Sequence, residues 1–464
     1  MSEKTYTFAR LIGGTTFIDN PEEIHAMATR LISQADILET HAAALQRAHS
    51  FNWQQLTRMQ SCPFASSLPE HPSALQLSLL SSLPSRYVQH IMAYAHRIHV
   101  MADAVIRALN LYSQTEAHTT RLLSALVMVG AYRYPLHTAF ALGLWASVEE
   151  LASPRSSSVG VLTRHAQLQE SYLNGVGHAM NPVEGIPGVA QSLAHPLSPL
   201  SSEHISYNLS ISPISVAHPL PAAHSLHDGI VNLEHLSIGQ PGNQYGTVAI
   251  QRYTHSNGSH SWVVTIPGTD GQPDSPFGWS QNLNLMSSSA HTQGLAHSRI
   301  AVQNAMRQAG VQSGDKVALV GHSQGGIIAA SLASDPEQPY AISHVVTAGS
   351  PIAQHRVNLH KTWVTGVETD REIVSNLDGR ENPQHPHWLT IRGEITDSQR
   401  GLEPTAIRGA SNKHELSHGM NYHRATYEDA QKLPSTTLKE HEEHFRSLTE
   451  GTMDKNLYFI CRIA

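Results

Sequence analysis

Val317-Ala318-Leu319-Val320-Gly321-His322-Ser323-Gln324-Gly325-Gly326-Ile327-Ile328-Ala329-Ala330 is the stretch that decides the fold. Four apolar residues suited to a buried strand run into a Gly-His-Ser-Gln-Gly turn, and a small-residue, apolar helical stretch follows. A strand that turns at once into a helix leaves no room for side chains two positions before and two after the turning residue, and Gly321 and Gly325 stand there. The turning residue is then held in a strained conformation beside the positive end of a helix dipole. Ser323 is read as a nucleophile on this ground. The bare G-x-S-x-G pattern is expected about 0.2 times by chance in a chain of this composition, so the strand before it and the helix after it carry the argument.

Outward from this turn, short β-rich runs are predicted at 246–253, 261–266, 316–320, 344–348 and 362–367, with helical patterns at 298–309 and 324–333. Buried strands alternating with helices imply an α/β fold whose sheet is mostly parallel and covered on both faces. Residues 245–430 resemble the serine α/β-hydrolases of the lipase and esterase type, especially actinobacterial hydrolase domains with GHSQGG, an upstream PGT and a downstream VTAGSP. Here those are Gly321–Gly326, Pro267–Thr269 and Val346–Pro351. The resemblance implies hydrolysis of a carboxylic ester, lipase- or phospholipase-like, through a Ser-His-Asp triad and an acyl-enzyme, with neither cofactor nor metal.

In such folds the triad partners follow in the order Ser, acid, His. The resemblance places the acid at Asp370, after the strand TWVTGV, with Glu368 and Asp378 as rivals. It places the base at His418, four residues before Tyr422 of a last helix, with His414 and His423 as alternatives. The oxyanion hole is expected from the backbone N–H groups of Gln324, directly after the nucleophile, and Thr269, where Gly268 permits close approach to substrate. The long run from Asp270 to His291, with Pro273, Phe277, Trp279, Leu283, Leu285 and Met286, reads either as a lid and acyl pocket or as ordinary core.

A competing chemistry lies in His414-Glu415-Leu416-Ser417-His418, which satisfies the H-E-x-x-H pattern of zinc peptidases. Such a pattern needs an apolar helix running into it, whereas Arg408–Lys413 reads as a loop, and a third ligand at Glu442 or Glu443 lacks the surrounding pattern of those families. A third reading is a secreted interaction protein whose hydrolase fold is inactive.

Residues 1–150 are predicted to be an all-helical hairpin or bundle. Ile24, Met27, Leu31, Ala35, Leu38, Ala42 and Leu45 recur at three- and four-residue steps after Asp19-Asn20-Pro21, a helix-start signal. This region faintly resembles the WXG-type helical proteins of type VII secretion. Tyr112-Ser-Gln-Thr-Glu116 matches their Y-x-x-x-[D/E] pattern, while Trp53 is followed by Gln54 and Gln55 with no Gly. The resemblance implies a secretion-machinery or other helical partner and a secreted or surface location; without it, a cytoplasmic one. Residues 151–240, rich in Ser, Pro and His, are predicted to be a connector, and 241–464 the hydrolase domain.

Length and composition bound the rest. At about 150 residues per domain, 464 residues suggest three units. A net charge of −7 provides no basic surplus for a nucleic acid. Leu122–Trp145, the most apolar stretch, is interrupted by Arg133, Pro135 and His137, so no transmembrane span is expected. The N-terminal residues contain no apolar run of signal-peptide length. Cys62 and Cys461 make no metal or redox spacing, and the 32 His are read as compositional bias.

Overall fold

The computed structural model describes residues 5–13, 21–60, 86–100, 166–194, 209–237, 244–396, 405–410 and 417–463, with isolated helical positions between 102 and 142. Its contacts separate two units, one of residues 1–16, 115–399 and 403–464 and one of residues 17–114 and 400–402.

The larger unit is built on one sheet of ten strands: β1 (Tyr6–Ile12), β2 (Leu209–Ile214), β3 (Thr247–Thr254), β4 (His260–Ile266), β5 (Lys316–His322), β6 (Ala341–Ala348), β7 (Trp363–Thr369), β8 (Trp388–Thr396), β9 (Thr405–Ala406) and β10 (Thr452–Ile463). Their spatial order is β2-β10-β3-β4-β5-β6-β7-β8-β1-β9. Strands β4 to β8 pair in parallel and the flanking pairs are antiparallel. The helices are α1 (Pro21–Gln60), α2 (Ala166–Met180), α3 (Ile186–Ala194), α4 (Leu226–Leu236), α5 (Trp279–Leu285), α6 (Ala290–Gly294), α7 (His297–Ala309), α8 (Gln324–Ala333), α9 (Met420–Ala430) and α10 (Thr436–Thr449).

The central strands are apolar at successive positions because both faces are covered. Val317 and Leu319 of β5 face a core with α7 and α8, through Ala301, Val302, Met306, Ile327 and Ile328. Ala318 and Val320 face the opposite core, with Leu226, Ile230 and Leu233 of α4, Tyr427 of α9 and Phe445 of α10. The same alternation separates Trp262 and Val264 from Val263 on β4. This is the predicted α/β-hydrolase class of fold, a mostly parallel sheet with helices on both faces.

The expected domain boundaries are redrawn. β1, placed by its sequence in a helical front half, pairs along its whole length with β8, and Asp429 of α9 accepts the Ala9 amide at 2.7 Å. The expected 151–240 connector contains α2, α3, β2 and α4. Ser225 caps α4 by accepting the Asp228 amide, and the helix buries Leu226, Ile230, Leu233 and Leu236. Upstream, the Tyr458 and Tyr253 hydroxyls accept the amides of Leu220 and Ala223, each at 2.6 Å, so this Pro-rich stretch is anchored by side chains more than by its own periodicity. The smaller unit contains α1 and a helical stretch at 86–100, where Ala35, Ala42 and Ala95 are fully buried and His99 Nε2 lies 3.2 Å from Asp36. Tyr112–Glu116 and Cys62 lie outside the described residues. No described helix is long and apolar enough to cross a membrane.

Part of the histidine surplus is in the core. Burial, with His441 and His444 nearby, pushes His344 well below the usual imidazole range, and burial pushes His355 and His441 down to about 4. An imidazole depressed in the folded state contributes stability that is complete above the unfolded value of about 6.5 and is lost as pH falls through it. Raised carboxyls act oppositely: burial lifts Asp370 and Asp378 to about 7 and Glu170 to about 8, so they favour the fold at low pH. Among the described residues nine imidazoles are depressed and four carboxyls raised, so the histidines win. The melting temperature is expected to fall by roughly 5 °C between pH 7 and pH 5, the shift that several kcal/mol produces in a unit this large. A flat calorimetric profile over that interval would contradict it.

Candidate active site

Parallel registers bring the carboxyl ends of the central strands together, the place where α/β folds bind ligands. Ile266 of β4 stands beside Gly321, and His322 of β5 beside Ala348 of β6. The chain turns sharply after His322. Ser323 has φ 52° and ψ −117°, and among the described residues it is the one non-glycine with positive φ. Its backbone is held at both ends, the amide by Ala348 O at 2.9 Å and the carbonyl by the Gly326 amide at 3.1 Å. The surrounding glycines are obligatory on steric grounds. A Cβ at Gly321 would lie 2.3 Å from Gly325 C, one at Gly325 would lie 2.4 Å from Ile266 O, and one at Gly326 would strike the Ser350 side chain.

A strained Ser kept at a turn points to a role for its hydroxyl. Ser323→Gly is expected to raise stability by roughly 1 kcal/mol, because strain released exceeds the extra flexibility of unfolded Gly, while removing any nucleophile. A denaturant midpoint equal to or below that of the wild type would show that the conformation carries no strain.

On one side of the turn lies the loop after β4. A Cβ at Gly268 would meet His322 Nδ1 at 2.9 Å and Ser323 Cβ at 3.4 Å, so this loop passes directly against the elbow. Gly268, next to Thr269 in the chain, therefore lies against the residues of the Ser323 turn. The buried Gln324 side chain donates to Gly278 O at 3.0 Å and Asn282 Oδ1 at 2.8 Å, and Asn282 donates to Thr269 Oγ1 at 3.2 Å. These bonds lock the Ser323 turn, α5 and the Thr269 loop together. The long 270–291 run is thus part core, with Phe277 and Leu285 fully buried, and part surface, with Trp279 74% exposed.

On the other side lies His418, in the non-helical turn before α9. Its carbonyl accepts a hydrogen bond from His322 Nε2 at 3.0 Å, and the two imidazoles lie 4.7 Å apart. Its Nδ1 is 2.5 Å from Glu372 Oε1, a fully buried carboxylate that also lies 3.7 Å from His423 Nε2. Burial pushes the Glu372 carboxyl well up and His418 down to about 4. Both groups converge on Gly349, where a Cβ would lie within 2.9 Å of His418 Nδ1, His423 Nε2 and Glu372. With φ +58° and no space for a methyl, only Gly fits there.

Asp370, expected as the acid, is placed elsewhere. It still belongs to the β7–β8 ladder, its amide bonded to Gly393 O and its Oδ1 accepting the Ile395 amide at 2.9 Å. The chain turns only after it, and Glu372 is the carboxylate returned toward β6. The rivals are also engaged: Glu368 accepts from Asn382 and Arg392, and Asp378 accepts the Ala353 amide at 2.7 Å. The run Glu368-Thr-Asp-Arg-Glu372 offered three carboxylates, and only the position of the turn distinguishes them.

His414 and Glu415 lie outside the described residues. The described end of that pattern departs from a zinc peptidase, since His418 precedes α9 and is not on a helix, and Glu442 is held by Tyr427 and Gln431. A different cluster has the chemistry of a metal site: His322, His418 and His423 each bring a ring nitrogen within 4.8 Å of the others.

Residues 279–432, a third of the chain, match the PGAP1-like alpha/beta domain family, whose fold is of the α/β-hydrolase type. No curated protein and no solved structure matches the chain. The match covers α5 to α9 and so includes the Ser323 turn, Glu372 and His418.

Proposed function

We propose that the chain hydrolyses carboxylic esters, with Ser323 as nucleophile, His418 as base and Glu372 as the carboxylate that orients it. The observation that carries this reading is the 2.5 Å contact of buried Glu372 with His418 Nδ1, beside a serine held at positive φ on a strand-to-helix turn. Burial raises the Glu372 carboxyl, but the Thr369 amide, Arg392 and the His418 Nδ1 proton favour its anion, and in that form it fixes the imidazole and leaves Nε2 to accept the Ser323 proton. Oγ then bonds to the ester carbon, and the Gln324 and Thr269 amides receive the charge that develops on the carbonyl oxygen. The imidazolium returns its proton to the departing alkoxide. Water, deprotonated in turn by His418, cleaves the acyl-enzyme and regenerates the Ser323 hydroxyl.

The acyl group is proposed to be a lipid chain. Exposed Trp279 on α5, next to the Thr269 loop, supports this reading because it offers apolar surface where an acyl chain would enter. The test is labelling with a fluorophosphonate probe in wild type and Ser323→Ala, with and without chelator, followed by a chain-length series of p-nitrophenyl esters. Label confined to wild type and retained with chelator is the expected result. A folded wild type that takes no label would overturn the assignment of Ser323. For Trp279→Ala, kcat/KM for long-chain esters is expected to drop about tenfold with the acetate ester unchanged, in line with the ~1–2 kcal/mol available from apolar contact. Equal loss on both esters would remove the lipid assignment.

A further inference from the structure

The three imidazoles beside the nucleophile are arranged for more than proton transfer. His322 ends β5, His418 lies in the turn before α9, and His423 lies on α9. One ring nitrogen of each falls within 4.8 Å of the others. The contact of His322 Nε2 with the His418 carbonyl requires Nε2 to carry its proton, which leaves Nδ1 as a bare lone pair. His418 Nδ1 is taken by Glu372, which leaves its Nε2. His423 is fully buried, its imidazole held only loosely, with Nε2 3.7 Å from Glu372 Oε2 and the His418 backbone beside the ring. A buried imidazole whose nitrogens are this loosely held is costly unless something else uses it.

We infer that His322, His418 and His423 form a Zn²⁺ site, and that the bound ion shuts off the hydrolase by occupying the His418 nitrogen that would accept the Ser323 proton. Three imidazoles with an open fourth position are a donor set this ion favours, and a carboxylate behind one imidazole, as Glu372 stands behind His418, orients the ring and strengthens it as a ligand. Burial keeps all three imidazoles neutral, the form that ligates. Tetrahedral ligands at the usual Zn–N length stand about 3.4 Å apart, so the rings must close by about 1.4 Å from the 4.8 Å that is the widest separation the cluster allows. The partly buried His322 and the His418 side chain, 28% exposed, give both some freedom for that closure and a route from solvent. The inhibitory half of the inference rests on the proposed hydrolase reading; the binding half does not.

The test uses full-length protein stripped with chelator and titrated with Zn²⁺ by calorimetry, with Mg²⁺ as the hard-cation control. One equivalent of Zn²⁺ is expected to bind in the micromolar range. His423→Gln and His322→Asn should each weaken that binding at least tenfold, and the partly buried position of His322 gives its variant the better chance of folding. One equivalent of Zn²⁺ should slow fluorophosphonate labelling of Ser323 more than tenfold in wild type, with recovery in EDTA and a much smaller effect in His423→Gln. Binding unchanged in both variants would overturn the site, because the ion would then sit on other histidines. Binding lost in the variants with labelling indifferent to Zn²⁺ would overturn the inhibition. Binding that behaves as expected in a protein that never labels would support the site and count against the proposed hydrolase.

Discussion

Glu372→Gln is expected to lower the rate of Ser323 acylation about 10³-fold, while Asp370→Asn changes it less than about threefold. A glutamine amide can still touch His418, but it donates from its nitrogen or accepts without charge, so the imidazole loses both its fixed tautomer and the counter-charge for imidazolium. Losses of about 10⁴ are known for that exchange in serine proteases, and the partial exposure of His418 argues for somewhat less here. Asparagine at 370 keeps an oxygen that can accept the Ile395 amide, the side-chain bond that ties the aspartate into the sheet and away from His418. Single-turnover labelling rates of the two variants decide the matter. The reverse pattern, a crippled Asp370→Asn and a healthy Glu372→Gln, would reinstate the strand-end aspartate as the acid.

Gly325→Ala should be among the most damaging single-methyl changes in the larger unit. Its Cβ would lie 2.4 Å from Ile266 O and 2.6 Å from Pro267 O, both backbone atoms at the end of a central strand that cannot rotate away. Relief requires α8 to move off β4, which also separates the Gln324 amide from the Thr269 loop. A loss on the order of 3 kcal/mol or more is expected, with fluorophosphonate labelling falling at least a hundredfold even in whatever fraction remains folded. Gly278→Ala, one helix away, is the matched control. Its nearest neighbour would be Ser275 O at 3.7 Å, its φ is −75°, and its cost should stay below about 1 kcal/mol. Equal melting temperatures for the two variants would show that the elbow is looser than its contacts imply.

The PGAP1-like match and the sheet agree on the fold over the stretch where the sequence is most regular. The five runs predicted as strands correspond to β3 to β7, and the predicted helices at 298–309 and 324–333 to α7 and α8. These elements are legible because each is buried on a periodic face, so its pattern is written locally. Strands β1, β2, β8, β9 and β10 were not legible; β1, β2, β9 and β10 lie toward the edges of the sheet and are made strands by the neighbours they pair with, while β8, with Arg392, Gly393 and Glu394 in its middle, lacks a continuous apolar run although it is interior. The residues between β2 and β3 likewise owe their order to the Tyr253 and Tyr458 hydroxyls, which no window of sequence around 220 contains.

The same division runs through the site. Strand, small residues, serine and helix follow one another in fourteen positions, and steric necessity alone ties Gly321, Ser323 and Gly325 together, so the sequence by itself determined the turn and the residue on it. Which carboxylate faces His418 was a tertiary decision. Asp370 and Glu372 are two residues apart, and the ladder to β8 holds the first while the turn that follows swings the second over Gly349. Likewise, the gathering of His322, His418 and His423 depends on the packing of α9 against the sheet, a long-range contact that residue spacing does not encode.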